Sequence, residues 1–146
     1  MKKMLIGAIL VLLCNTTFAQ ILTLTNHTSC NLFIEIKAED LGTGWLPCTL
    51  ESKIFMLPPG PPMVFVGVPS VTSWPGWLSA LALPTGGNWN AVKFYFTGGC
   101  GSWVGDMVSC GAPFQWSGYC CPNPTGAPNV AIWTPLGGGD VNVDWY

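Results

Sequence analysis

Leu32-Phe33-Ile34-Glu35-Ile36-Lys37 is the stretch on which the fold turns. Its aliphatic residues Leu32, Ile34 and Ile36 take every second position, and Phe33, Glu35 and Lys37 take the others. Successive side chains of an extended chain point to opposite faces, so this pattern predicts a strand with one buried face. Val92-Lys93-Phe94-Tyr95-Phe96-Thr97 repeats it, with Val92, Phe94 and Phe96 set against Lys93, Tyr95 and Thr97. Further out, Ile21–Thr25 and the first stretch make the first two strand candidates, and Val130–Thr134 and Val141–Trp145 close the chain as two more strands. Leu50–Leu57 reads as one strand, ended by Pro58-Pro59-Gly60-Pro61-Pro62, a turn or stiff extended connector. Met63–Val68 is apolar at nearly every position and reads as a central strand. Trp77–Leu83 fits one helical turn or a further strand. The 18 Gly and 13 Pro fall between the apolar runs and punctuate short strands. The expected fold is all-β, a single-domain antiparallel β-sandwich of about seven to eight strands stapled by disulfides.

Met1-Lys2-Lys3, an apolar run from Met4 to Leu13, and small residues at Thr17 and Ala19 have the layout of a secretory signal. Residues 1–19 are therefore expected to be a signal peptide, with residues 20–146 forming the exported domain. The implied location is extracellular, cell-surface or periplasmic. The apolar run is too short to span a bilayer, and no later segment approaches the roughly 20 apolar residues that a membrane helix needs.

Beyond the signal remain six cysteines, Cys30, Cys48, Cys100, Cys110, Cys120 and Cys121. An even count in an exported chain implies disulfides. Cys30 and Cys48 flank one strand and loop and are expected to pair. Cys120 and Cys121 are adjacent, so each is expected to take a separate partner, Cys100 or Cys110. Four of the six lie in 98–128, which reads as a long, disulfide-tied loop region. No C-x₂₋₄-C pair or histidine cluster points to zinc, so no metal and no cofactor is expected.

Lys37, Lys53 and Lys93 are the only cations after residue 19, and there is no arginine. Nucleic-acid and anionic-lipid binding need clustered cations and are excluded. Catalysis has little to draw on. His27 is the single histidine, in the polar turn Thr25-Asn26-His27-Thr28-Ser29, and nothing sets a serine and a carboxylate beside it. Asp140 and Asp144 share a strand face roughly 13 Å apart at about 3.3 Å per residue. That exceeds the about 5–9.5 Å of a glycosidase pair, so a hydrolase would need a third acid such as Asp106. Asp140-Val141-Asn142-Val143-Asp144 opens like a calcium loop, but Trp145 stands where that loop needs Gly.

Eight tryptophans are the most unusual feature. Trp133 and Trp145 lie on expected strands and Trp89 opens one, whereas Trp45, Trp74, Trp77, Trp103 and Trp116 are placed in loops. An exposed indole stacks on sugars or fills a partner's pocket. The candidate binding residues are Trp74, Trp77, Trp103 and Trp116. Only 8% of residues are charged, against about 25% in typical soluble domains. A surface so poor in charge suits a protein held against other protein surfaces. The expected function is a secreted, non-enzymatic structural or interaction protein, self-associating or part of a larger cell-surface or extracellular complex. The alternative is a carbohydrate-binding module, with Trp74/Trp77 or Trp103/Trp116 as a platform for a glycan.

Overall fold

The computed structural model describes residues 20–78 and 82–146. Among them, ten strands form two sheets: β1 (Ile21–Asn26), β2 (Leu32–Asp40), β3 (Trp45–Glu51), β4 (Phe55–Leu57), β5 (Met63–Val66), β6 (Asn88–Phe96), β7 (Gly101–Gly105), β8 (Gln115–Gly118), β9 (Asn129–Gly137) and β10 (Asp140–Trp145). The first sheet has the order β5-β1-β10-β9-β8. The second has the order β3-β2-β6-β7, with β4 also paired to β2. The chain is thus an all-β, disulfide-stapled sandwich. Every strand pair is antiparallel except β1 with β10, which run parallel. Leu22 pairs with Val141 and Leu24 with Val143, so the beginning and end of the domain close on each other.

The alternating residues behave as their spacing demands. Leu32, Ile34 and Ile36 of β2 and Val92, Phe94 and Phe96 of β6 point inward and are fully buried, or nearly so. They meet Leu22, Leu24, Val141, Val143 and Trp145 of the first sheet. Phe94 is the seam. Its ring lies 5.2 Å from Trp116 and 5.6 Å from Trp145, both edge-on, so one side chain of the second sheet packs on two of the first.

Three expected elements differ. Leu50–Leu57 is two strands, β3 and β4, broken at Ser52–Ile54, where Ser52 turns to donate to the Lys53 carbonyl and accept from the Ile36 amide. Met63–Val68 is an edge strand and not a central one. Phe65 faces the core, while Val64 and Val66 are 52% and 56% exposed. Pro61 and Pro62 precede it, and sheet edges are where such residues fit. The strand ends at Gly67, and a 3₁₀ turn over Val68–Thr72 buries Val68 and Val71. Residues 98–128 are not one loop: they hold β7, the short helix α1 (Met107–Cys110) and β8. Gly101 and Gly105 are strand residues in tight quarters. A Cβ on Gly101 would collide with the Phe94 carbonyl oxygen, and one on Gly105 with Ala91. Trp45, Trp103 and Trp116 likewise stand on strands β3, β7 and β8 and not in loops. Trp77 makes a single bridge to Ser52; residues 79–81 of the Trp77–Leu83 segment lie outside the described residues.

The disulfides are Cys30–Cys121, Cys48–Cys110 and Cys100–Cys120. Cys120 and Cys121 do take separate partners, and Cys100 is one of them, but the other is Cys30 and not the expected Cys110. The expected Cys30–Cys48 pair is wrong. Cys30 precedes β2, whereas Cys48 sits on β3 opposite the far end of β2, roughly 30 Å away at about 3.3 Å per residue. A disulfide needs Cα atoms about 4.4–6.8 Å apart. Cys30 instead meets Cys121 at a Cα separation of 6.0 Å, joining the β1–β2 turn to the segment after β8. Cys48 reaches Cys110 because the chain after β7 folds back across the sheet towards β3.

Candidate functional site

The outer face of the second sheet carries the least ordinary chemistry. Register places Phe33 beside Met56 on β4 and Tyr95 on β6. One step along, Glu35 pairs with Lys93, which pairs with Trp103 on β7. Lys37 pairs with Glu51 on β3. Four charges therefore share one patch of a chain that has few. The Lys37 ammonium bridges two carboxylates, 2.9 Å from Glu35 and 2.8 Å from Glu51. Glu35 is only 4% exposed. Burial first, and the adjoining Glu51 carboxyl second, push the Glu35 carboxyl above its ordinary range against the pull of Lys37. The same contact with Glu35, and then Lys37, hold Glu51 below it. The two acids are thus coupled, and a proton entering the pair is favoured on Glu35 over Glu51. Tyr95, and more weakly Glu35 and Glu51, raise the Lys93 ammonium above the usual lysine range although burial opposes it. Lys93 also lies 5.4 Å over the Tyr95 ring. Around this centre, Phe33, Met56 and Trp103 keep large exposed surfaces.

The four candidate tryptophans separate. Trp103, 36% exposed, is the one that stands on this face. Trp116 is half-buried and turns inward onto Phe94 and Phe96, so it forms no platform with Trp103. Trp74 is 51% exposed but leans on Phe55 and Phe65, with ring centroids 5.1 and 6.3 Å away. Trp77 is 8% exposed and belongs to the core, so it does not present a face beside Trp74.

The acids separate too. Asp106 and Asp140, distant in sequence, line one cleft of about 360 Å³ at the end of the sandwich, together with Glu39, Asn88 and Asn90. Each has a local task. Asp106 caps α1 through the Val108 amide and the Ser109 hydroxyl. Asp140 accepts from the Ile21 amide at 2.7 Å. Asp144 lies elsewhere, 3.3 Å from the His27 ring, which stacks on Tyr146. The hydroxyls beside His27 are engaged: Thr28 donates to Asn26 and Ser29 to the Pro122 carbonyl. Among the described residues no group of three His, Cys, Asp or Glu is placed to hold a metal ion, and no helix is long and apolar enough to cross a membrane.

Sequence reasoning alone did not single out Glu35, Lys37, Glu51 and Lys93 as a group. The signal was present in part, because two of the three lysines occupy the outward positions of the two best strands. Fold and face together define a disulfide-stapled β-sandwich with one aromatic, ion-centred sheet face. Compared with known proteins, the chain matches no family model, no curated protein and no solved structure.

Proposed function

We propose that the chain is an exported, non-enzymatic interaction protein that associates through the outer face of its second sheet, within a cell-surface or extracellular assembly. The observation that carries this is the exposed rim of Phe33, Met56 and Trp103 around charges already matched to one another. A partner covering that face buries aromatic area and strips little further water from charges that are already desolvated. The occupant proposed is a second copy of the chain. Lys and Glu side by side within an apolar rim are self-complementary about a two-fold axis, where each lysine faces a glutamate. Three disulfides and the signal-like residues 1–19 support export. Size-exclusion chromatography with light scattering on the exported protein tests the reading. A concentration-dependent dimer that Trp103→Ala and Phe33→Ser together convert to monomer supports it; a monomer at every concentration overturns it.

One observation favours glycan binding as a second reading. The open Trp103 indole lies beside Lys93 and Glu35, a stacking face with a donor and an acceptor at its edge. Sugar-dependent change in tryptophan fluorescence, lost in Trp103→Ala while the chain stays monomeric, would select it over self-association.

A further inference from the structure

The acids of this protein are unevenly placed. Glu39, Asp40, Asp106 and Asp140 are four of its seven, and they line two adjoining clefts at one end of the sandwich. Gln20, Glu39 and Asn88 belong to both clefts and form the wall between them. No lysine or histidine lines either cleft. Lys37 and Lys93 are engaged on the outer sheet face, and Lys53 lies against Gly76.

Gln20 is anchored in that wall by its own backbone and side chain. Its carbonyl accepts from the Gly67 amide at 2.7 Å and from the Trp89 indole at 3.1 Å. Its side-chain amide donates to Asn88 at 2.6 Å. Gly139 packs so closely on it that a Cβ there would collide with the Gln20 side chain. The next amide, that of Ile21, donates to Asp140 Oδ1 at 2.7 Å. Consecutive backbone nitrogens lie about 3–4 Å apart, so the Gln20 nitrogen is one short step from the Asp140 carboxylate.

We infer that the amine freed by cleavage after Ala19 is the counter-charge of this acidic end, so that processing completes the electrostatics of the fold. The inference rests on the export reading above. In the precursor the Gln20 nitrogen is a neutral amide. A signal peptidase adds water across the Ala19–Gln20 bond: the C–N bond breaks, hydroxide goes to the Ala19 carbonyl carbon, and the freed nitrogen takes up protons to become an ammonium. The occupant is therefore the chain's own terminus, delivered by β1. Asp140 from β10 is the acid nearest it, and Glu39 and Asp40 from β2 and Asp106 from the cap of α1 line the same two clefts, all acids. Acids and no lysine or histidine line these clefts, which favours the charged form of the amine. A folded-state pKa raised in this way gives stability that is complete below the unfolded value and disappears as pH rises through the folded one.

The same geometry bears on a second fate of a terminal glutamine. In cyclisation the free amine attacks its own side-chain carbonyl carbon and ammonia leaves, giving a pyroglutamyl terminus with neither the charge nor the donor to Asn88. An ammonium has no lone pair for that attack, so the folded protein keeps Gln20 open.

The test compares the processed, exported protein with a variant carrying Gly-Gly inserted between Ala19 and Gln20, which moves the amine out of the cleft. Intact mass and thermal unfolding across the alkaline range are the readouts. The expected mass is that of a chain starting at an unmodified Gln20. Its melting temperature should exceed the variant's by about 2–5 °C near pH 6. The gap should close as pH rises through the amine's titration. It should also narrow at pH 6 in Asp140→Asn, which keeps the oxygen that accepts from Ile21 but removes one charge. A gap that is absent, or unmoved by pH and by Asp140→Asn, overturns the inference, as does a mass lighter by one ammonia. A mass that retains residues 1–19 or starts elsewhere overturns the export reading, and this inference falls with it.

Discussion

The two sheets share one kind of inner face and differ on their outer ones. The first sheet shows solvent Thr23, Thr25, Asn142, Asp144 and Thr134, short polar side chains of β1, β10 and β9, with the aliphatic Ile21, Val64 and Val66 only towards its β5 edge. The second shows Phe33, Met56, Tyr95 and Trp103 around Glu35, Lys37, Glu51 and Lys93. Both follow the same two-residue period, so periodicity does not distinguish them. Residue type does. The threonines and asparagine of the first face meet water at no cost, and its few aliphatics at the β5 edge hold no charge. A face that withdraws charges from water costs stability unless those charges pair well, and such a cost without structural need marks a surface kept for contact.

Four experiments break or sharpen that contrast. Phe94→Ala strikes what the sheets have in common, because its ring touches Trp116 and Trp145 of the opposite sheet. It should cost about 3–5 kcal/mol in denaturant unfolding. A loss well under that range would mean that the sheets do not meet there.

Next comes the stapling. The Cys30→Ser, Cys121→Ser double variant releases the β1–β2 turn from the segment after β8 and should cost about 2–4 kcal/mol. Non-reducing peptide maps should show Cys30 with Cys121 and Cys48 with Cys110. Mild reduction should raise hydrogen exchange in 98–128 before it does so in β2 and β6, because all three bonds end in that segment. Equal protection before and after reduction would refute this order.

The ion cluster is third. Lys37→Met leaves Glu35 and Glu51 without their shared cation and should cost about 1–3 kcal/mol, less than a fully buried pair because Lys37 and Glu51 keep some water. The pH signs of the acids differ. Glu35, raised in the fold, contributes stability at acid pH that fades as pH climbs through its folded value. Glu51, lowered, contributes stability above the ordinary glutamate range that is lost as pH falls through its folded value. Asp40 behaves like Glu51. Burial pushes it up, but the amides of Thr85 and Gly86 donate to it and outweigh burial. Glu35→Gln, neutral at every pH, should therefore retain stability at pH 7 and remove only the acid-side contribution. Equilibrium unfolding from pH 3 to 8 reads all of this. A large loss in Glu35→Gln at pH 7 would show that the Lys37–Glu35 pair outweighs the cost of burying that carboxylate.

The smallest expected effect on stability is that of Trp103→Ala, under about 1 kcal/mol because the indole is partly exposed. Its effect on association should be the largest of the four. A variant equally stable and equally dimeric would remove Trp103 from the interface.

How legible all this was depends on whether the partners of a residue are local. Leu32–Lys37 and Val92–Thr97 declare their buried faces, because alternation is a property of five or six consecutive residues. Gly101 and Gly105 are misleading. Glycine marks both loops and crowded strands, and only the closeness of Phe94 and Ala91 tells them apart. Val64 and Val66 look like core residues, yet they have no strand outside them. Three of the four members of the ion cluster are visible as Glu35, Lys37 and Lys93 on outward positions, but Glu51 joins only through the pairing of β2 with β3. Asp106 is legible only as a possible third acid for Asp140 and Asp144, and it takes the fold to bring it to one cleft with Asp140 and not with Asp144.

From the sequence alone follow the all-β class, the inward sets of the best strands, the scarcity of cations and the presence of disulfides. Each depends on composition or on spacing along a short run. Which cysteines join, which strand lies at an edge, which tryptophan faces water and which acids share a cleft are decided by tertiary structure. Those are relations between residues tens of positions apart. Strand pairing sets them, and pairing is chosen by the joint burial of both inner faces, to which no single segment holds the key.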